Sequence, residues 1–337
     1  MLKLIYPDAE AIIKGVGVRS GECKLGEVVT FAEPDKALSN YGCRFALIGI
    51  PEDVGPRANL GFGGATGAWS AFLKYFLNLQ ANRLLPGNDI LVLGEIDTQS
   101  IQASDYSIEA LRESCETLDD YVSDVLAQAF GAGLIPIVIG GGHNNAFPII
   151  RACHAVTQMP LAVANLDPHS DFRAIEGRHS GNPFRYAFEA EVLKRYAVLG
   201  LHEQKNNQNS LDALSEQGFP WFSIQQTHWS NTHNFDQCLE QIGKYLLESG
   251  LPIGVELDLD AITDMPSSAM TAAGVALKDA LYYVDQMARL PQAQYLHLAE
   301  GAPSRHASGV EEGTRVVGQS LSELVSIFIK AMQASQA

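Results

Sequence analysis

Three apolar runs in this chain give way directly to side chains of the metal-ligand type. Gly140-Gly141-Gly142-His143-Asn144 follows the run 135–139, Asn165-Leu166-Asp167-Pro168-His169-Ser170-Asp171 continues the run 161–164, and Asp258-Leu259-Asp260 closes the run 252–257. Short apolar runs bounded by glycine and polar residues read as buried strands, and the ends of such strands are where open α/β sheets build their sites. In Asp167-x-His169-x-Asp171 the alternate residues share a face if the segment is extended. Two carboxylates and an imidazole leaving a core strand together need strong compensation, which a divalent cation supplies. A lone Asp-x-His-x-Asp also occurs in surface turns; three such strand ends in one chain favour the metal.

Strands are expected at 44–50, 89–93, 134–139, 161–166, 196–201, 221–225, 253–259 and 294–298, alternating with helices at 68–79, 108–130, 145–156, 235–247, 277–290 and 321–332. The long second helix carries Leu111, Leu118, Val122, Val125 and Leu126 at helical spacing, and Gly131 and Gly133 stop it. The alternation predicts an α/β class, a three-layer α/β/α architecture with a mostly parallel eight-stranded sheet covered on both faces. Residues 43–337 are expected to form one catalytic domain, with 1–42 as an N-terminal extension packed on it. Gly61, Gly63, Gly64 and Gly67 match no phosphate-binding pattern and read as a tight turn. The polar segment 172–185, with three arginines, is either a solvated loop or a substrate loop over the metal mouth. The amide-rich run 203–209 is either turn chemistry or a second polar wall of a pocket.

At 337 residues with 46% hydrophobic content the chain can bury a sizeable core. A net charge of −16 argues against a nucleic-acid partner and against anionic membrane surfaces, while leaving room for a small anionic substrate where arginines gather. The five cysteines are scattered and form no C-x-x-C pair, so they read as reduced thiols of a cytoplasmic protein. The first residues show no signal-peptide apolar block, and no run approaches the ~18 apolar residues of a membrane-spanning helix. Composition leaves the oligomeric state open, and a homo-oligomer is compatible with it.

His143, Asp167, His169, Asp171, Asp258 and Asp260 are too many ligands for one tetrahedral zinc, and no thiolate is among them. Two hard divalent ions sharing carboxylates fit better, and an oxygen-rich set with imidazole suits Mn²⁺. Four carboxylates balance two dications; without metal they would raise one another's pKa. Two ions ~3.5 to 4 Å apart activate a shared water at neutral pH, so the chemistry implied is hydrolysis.

The series Gly-Gly-Gly-His143, Asp167-x-His169-x-Asp171 and Asp258-x-Asp260 resembles the arginase, agmatinase and formimidoylglutamase superfamily of binuclear manganese ureohydrolases, over residues 44–330. The resemblance implies that His143, Asp167, Asp171 and Asp258 bind one manganese and Asp167, His169, Asp258 and Asp260 the other, with Asp167 and Asp258 bridging. It places Glu300 where the family has a glutamate that pairs with amidine or guanidine nitrogens, and it implies an eight-stranded parallel sheet. Gly142 stands where arginases and agmatinases usually have Asp, so Gly-Gly-Gly-His is similar to formimidoylglutamases. Asp171-Phe172-Arg173 and Ser180-Gly181-Asn182-Pro183-Phe184-Arg185 look like the formimidoylglutamase pattern too. Asn182 departs from that pattern's threonine, Phe184 stands where arginases have a histidine, and His179 matches no family position. Glu256 replaces a frequent Ser and, on a regular strand, faces the same way as Asp258 and Asp260, where it crowds or tunes the site. Pro168 and Asn144-Asn145 are further departures.

The expectation is therefore a formimidoylglutamase acting in histidine degradation: N-formimidoyl-L-glutamate plus water to L-glutamate and formamide. Glu300 holds the amidinium, Asp171 passes a proton to the leaving amine, and Arg173, Arg185 and Asn182 join Glu300 in binding the substrate. Two alternatives stay open. One is a ureohydrolase for agmatine or another guanidino compound, and the other is a metal-binding relative that has lost turnover through changes such as Glu256.

Overall fold

The apolar runs pair as expected. In the computed structural model, which describes residues 4–17, 19–99, 101, 106–230 and 232–335, they become β3 (Phe45–Gly49), β4 (Ile90–Ile96), β5 (Ile135–Ile139), β6 (Leu161–Leu166), β7 (Leu193–Leu201), β8 (Trp221–Ser223), β9 (Ile253–Asp258) and β10 (Ala293–Ala299). Each of the eight predicted strands is present. Two more come from the N-terminal stretch: β1 (Leu4–Ile5), antiparallel to β4, and β2 (Thr30–Phe31), parallel to it. Strands of two residues are too short to show a period, which is why the sequence reveals neither. The sheet therefore has ten strands rather than eight, in the order β1-β4-β3-β5-β10-β9-β6-β7-β8 with β2 also on β4.

Helices Ala68–Phe76, Phe235–Leu247, Leu277–Ala288 and Val310–Ala334 cover one face, burying Phe72, Ile242, Tyr283 and Phe328 against it. Ile108–Gly131, Ala146–Thr157, Pro183–Glu189 and Gln208–Glu216 cover the other, burying Leu118, Ile150, Phe184 and Leu214. Each such side chain contributes ~1.5 to 3 kcal/mol by leaving water. The last helix begins well before the expected 321. Its early part holds Gly313 and Gly318, poor helix formers that obscure the pattern. Both are required by close packing, because a Cβ at Gly313 would lie 1.8 Å from the Pro303 carbonyl oxygen and one at Gly318 2.4 Å from that of Ala71.

The topology positions the site. After β5 the chain passes over to β6, leaving a gap two strands wide that β9 and β10 later fill. Four strands whose C-terminal ends carry ligand-type residues, β5, β10, β9 and β6, thereby lie side by side at the centre of the sheet. No helix among the described residues is long and apolar enough to cross a membrane.

Candidate metal centre

His143 is delivered by a sharp turn. Gly140 (φ 84°) and Gly141 (φ 72°) take left-handed backbone conformations, and a Cβ at Gly141 would fall 2.4 Å from Asn145 Nδ2. The turn is clamped by buried Glu52, which accepts hydrogen bonds from the backbone N–H of Gly142 and of Val54 and from Asn145 Nδ2, each at 2.7 Å. Nothing in the sequence marks Glu52, which stands beside Asp53 in a polar stretch with no telling spacing.

Around His143 Nδ1 stand Asp171 Oδ2 at 2.9 Å, Asp167 Oδ2 at 3.1 Å and Asp258 Oδ2 at 3.4 Å. Although three carboxylates surround it, this buried nitrogen has no hydrogen-bond partner. That is the arrangement of ligands around a shared point. On the other side, His169 Nδ1 lies 3.4 Å from Asp167 Oδ1 and 4.0 Å from Asp260 Oδ2. Two donor groups result, His143/Asp167/Asp171/Asp258 and His169/Asp258/Asp260, each with ligand atoms within 4.8 Å of one another. The structure thus brings together all six ligand candidates, with Asp258 common to both groups and Asp167 in contact with both histidines.

Burial and mutual repulsion act on the titration of the cluster. Burial, with repulsion from Asp260 and Asp167, pushes Asp258 well above the usual carboxylate range, and burial with the Asp167 charge lifts Asp171 to about 6. Burial alone would depress the histidines, but the carboxylates outweigh it: Asp167 and its neighbours hold His143 well above its ordinary value, and His169 rises to about 9. For Asp167 the balance reverses, and contacts with His143 and His169 overcome burial to keep it low. The donor set is therefore anionic, dense and unpartnered at its centre, and it fits two divalent ions.

Glu300 follows β10 with φ 66° and Asp171 has φ 45°, both in the left-handed region that non-glycine residues rarely occupy. Glu300 Oε1 accepts the backbone N–H of His143 at 2.7 Å, while its buried Oε2 has no partner. Burial, with Asp258 and Asp260 nearby, raises Glu300 well above the usual range.

A cavity of ≈ 360 Å³ opens at this point, lined by His169, Asp171, Arg173, Asn59, Lys205 and Asn206 among others. Arg173 lies in its wall, donating from Nη1 to Asn59 Oδ1 at 3.0 Å and from Nη2 to Glu176 Oε1 at 2.9 Å. The amide-rich run proves to be the second wall. Asn206 donates to the Pro168 carbonyl at 2.9 Å and accepts from the Ser170 N–H at 2.7 Å, and Lys205 is half-buried without an ion pair among the described residues. Sequence analysis singled out the run but not this lysine.

Two residues expected to bind the substrate are placed outside the lining of this cavity. Arg185 does not line the cavity: Pro183 starts a helix, and Arg185 turns along it to Glu189 at 2.7 Å while stacking over Phe172. Asn182 is buried as the knot of its own loop, its Oδ1 accepting from Arg178 Nη1 and the His179 N–H and its Nδ2 donating to the Gly177 carbonyl. Of the three arginines in the segment, Arg178 is the buried one.

Comparison with known proteins agrees with this geometry. A sequence model described as the Arginase family matches residues 43–325. The formimidoylglutamase of Salmonella heidelberg (strain SL476) is 27% identical over 271 residues, covering 78% of this chain and 80% of its own length. Among solved structures, a formimidoylglutamase from Bacillus subtilis superposes with a TM-score of 0.76 at 16% identity, covering 94% of each chain. Trypanosoma cruzi formiminoglutamase, solved with Mn²⁺, superposes at 0.71 with 21% identity, covering 91% of this chain and 98% of its own. At such identities the superpositions speak for the fold.

Proposed function

We infer the reaction from the premise that this chain belongs to the arginase family, whose match spans residues 43–325: it is a binuclear manganese hydrolase of linear amidines, converting N-formimidoyl-L-glutamate and water to L-glutamate and formamide. Similarity to formimidoylglutamases supports the branch. The observation that carries the reading is the pair of unpartnered buried atoms, His143 Nδ1 and Glu300 Oε2, set beside a cavity with two cationic side chains.

His143, Asp167, Asp171 and Asp258 would hold one ion, and Asp167, His169, Asp258 and Asp260 the other. Mn²⁺ held there would lower the pKa of a water and so supply a nucleophile at neutral pH. Glu300 Oε2 accepts an N–H of the substrate amidinium and turns its carbon toward that water. Asp171 takes the water's proton and returns it to the glutamate nitrogen as the carbon–nitrogen bond breaks, so the water oxygen ends in formamide and the amine leaves protonated. Arg173 and Lys205 hold the carboxylates of the substrate tail.

A product assay with Mn²⁺ across N-formimidoyl-L-glutamate, agmatine, arginine and guanidinobutyrate tests the reading. Formamide from the first alone is expected. Urea from any of the others would assign the chain to guanidino substrates, and no product from any would make it a metal-binding relative without turnover.

The tail assignment makes its own prediction. A charge-assisted hydrogen bond is worth ~1.5 to 3 kcal/mol, so Arg173→Ala and Lys205→Ala should each lower kcat/KM roughly tenfold to a hundredfold at unchanged metal content. Wild-type kinetics in both variants would rule out the acidic-tail assignment.

Binding of the ions should also depend on pH in a stated direction. The ligands bind as ionised carboxylates and neutral imidazoles, whereas burial and the Asp167 charge push Asp171 up to about 6 and the surrounding carboxylates, outweighing burial, push His169 up to about 9. Both must lose protons to the metal, so Mn²⁺ affinity should rise from pH 6 to pH 9. Calorimetry in buffers of different ionisation enthalpy should detect proton release; pH-independent binding would contradict the assigned ligands.

A further inference from the structure

Behind the ligands lies a second polar row that the reaction leaves unexplained. Parallel register sets His297 of β10 opposite Glu256 of β9, and Glu256 opposite Asn165 of β6. Their side chains share one face of the sheet, two residues before Asp258 and Asp167 on the same strands. All three are fully buried. Glu256 Oε1 accepts from the Tyr295 hydroxyl at 2.8 Å and Oε2 from His297 Nδ1 at 2.7 Å. The same Oε2 faces His143 Nε2 at 3.4 Å, on the side of the ring away from the cluster; at that separation the buried nitrogen has no hydrogen-bond partner, and Glu256 is the carboxylate in front of it. Gly254 leaves room for this arrangement, since a Cβ there would sit 2.3 Å from the Tyr295 hydroxyl oxygen.

A buried carboxylate is costly unless donors surround it, and an ionised one only accepts hydrogen bonds. Tyr295 and His297 keep Glu256 in place; His143 Nε2 is the remaining donor it faces. The two nitrogens of His143 thus see different partners: a carboxylate outside the cluster at Nε2, and three ligand carboxylates at Nδ1. His143, Glu256 and His297 also form a tight donor group of their own, within 4.8 Å.

We propose that Glu256 is a positioning residue for the metal centre, the acceptor toward which His143 turns its Nε2–H so that Nδ1 is the unprotonated nitrogen presented to an ion. A carboxylate behind a ligating imidazole fixes its tautomer and ring orientation and strengthens it as a ligand. This makes Glu256 a supporter of the site rather than an intruder in it. The inference rests on the binuclear reading above.

The test is Mn²⁺ titration calorimetry on metal-stripped wild type, Glu256→Gln, Tyr295→Phe, His143→Ala and the double variant Glu256→Gln/His143→Ala, with metal-free melting curves as the folding control. Glu256→Gln should weaken one of the two ions ten- to a hundredfold and leave the other unchanged. Tyr295→Phe, which removes one prop of Glu256, should weaken the same ion less. In the His143→Ala background Glu256→Gln should cause no further loss, because its effect passes through that ring. Two intact sites in Glu256→Gln, equal weakening of both, or a loss that persists without His143 would overturn the inference. If Glu256→Gln fails to fold, Tyr295→Phe decides by whether one site weakens or neither does. A wild type that saturates at one ion would overturn the binuclear reading itself, a failure separate from two wild-type sites that ignore Glu256.

Discussion

Asp258→Ala should yield a folded protein that binds neither ion at wild-type affinity and has no measurable amidine hydrolysis. Asp258 belongs to both donor groups, and its Oδ1 also accepts the Asp260 N–H at 2.7 Å, fixing the turn that presents the next candidate ligand. His143→Ala, which touches one group, should mainly weaken one ion. Loss of a shared ligand should cost at least ~10³ in kcat/KM, about 4 kcal/mol of barrier. The metal-free protein should respond oppositely. Removing one of several mutually repelling buried carboxylates should raise its melting temperature above that of metal-free wild type. Elemental analysis, steady-state kinetics and melting with and without Mn²⁺ check all three; two tightly held ions in Asp258→Ala would sink the assignment of the shared ligand.

The second large effect lies outside the cluster. Arg178→Ala should destabilise the fold by ~3 to 5 kcal/mol, the usual consequence of leaving a buried charge without its partner. Arg178 grips Asp119 with two bonds, Nε to Oδ2 at 2.7 Å and Nη2 to Oδ1 at 3.1 Å. It also donates to the Asn144 carbonyl at 2.7 Å and to Asn182 Oδ1 at 3.1 Å, with its guanidinium over the rings of Phe147 and Tyr186 at 4.9 Å. One side chain thus ties the long helix, the turn after His143 and the loop under the cavity. A loss of that size is a large part of a typical domain's ~5 to 15 kcal/mol. Urea denaturation reads it directly. Arg178→Lys should recover little, since an ammonium cannot match the paired geometry, whereas Arg178→Met combined with Asp119→Leu should recover most of it by removing both charges. A shift below ~1 kcal/mol in Arg178→Ala would show the pair to be dispensable.

What the sequence reveals and what it hides divide along physical lines. The candidate ligands are legible because each of the three segments that carry them continues an apolar run, so local pattern alone gives both the strand and the residues at its end. Glu52, Tyr295 and His297 are illegible because they act across strands or loops distant in sequence: folding brings Glu52 to the Gly142 turn, and register brings Tyr295 and His297 to Glu256. Glu256 itself is visible as an anomaly, but its partners decide whether it disrupts or supports. Arg185 shows the converse: it shares a polar segment with Arg173, but a helix that Pro183 begins directs it to Glu189. Lys205 becomes notable only once its half-buried place in the cavity wall, without a counter-ion among the described residues, is known.

The order of the strands also bears on how the site comes into being. As the chain is synthesised, β5 and β6 emerge with His143 and Asp167 at their ends, yet the sheet holds them two strands apart. Until β9 and β10 enter that gap, two open strand edges face one another and Asp258, Asp260 and Glu300 are missing. No ion can find its full set of donors in a chain that stops at β8. Tight binding of the metal pair is therefore a property of the completed sheet alone, and in a refolding protein it should appear only after the central strands have docked.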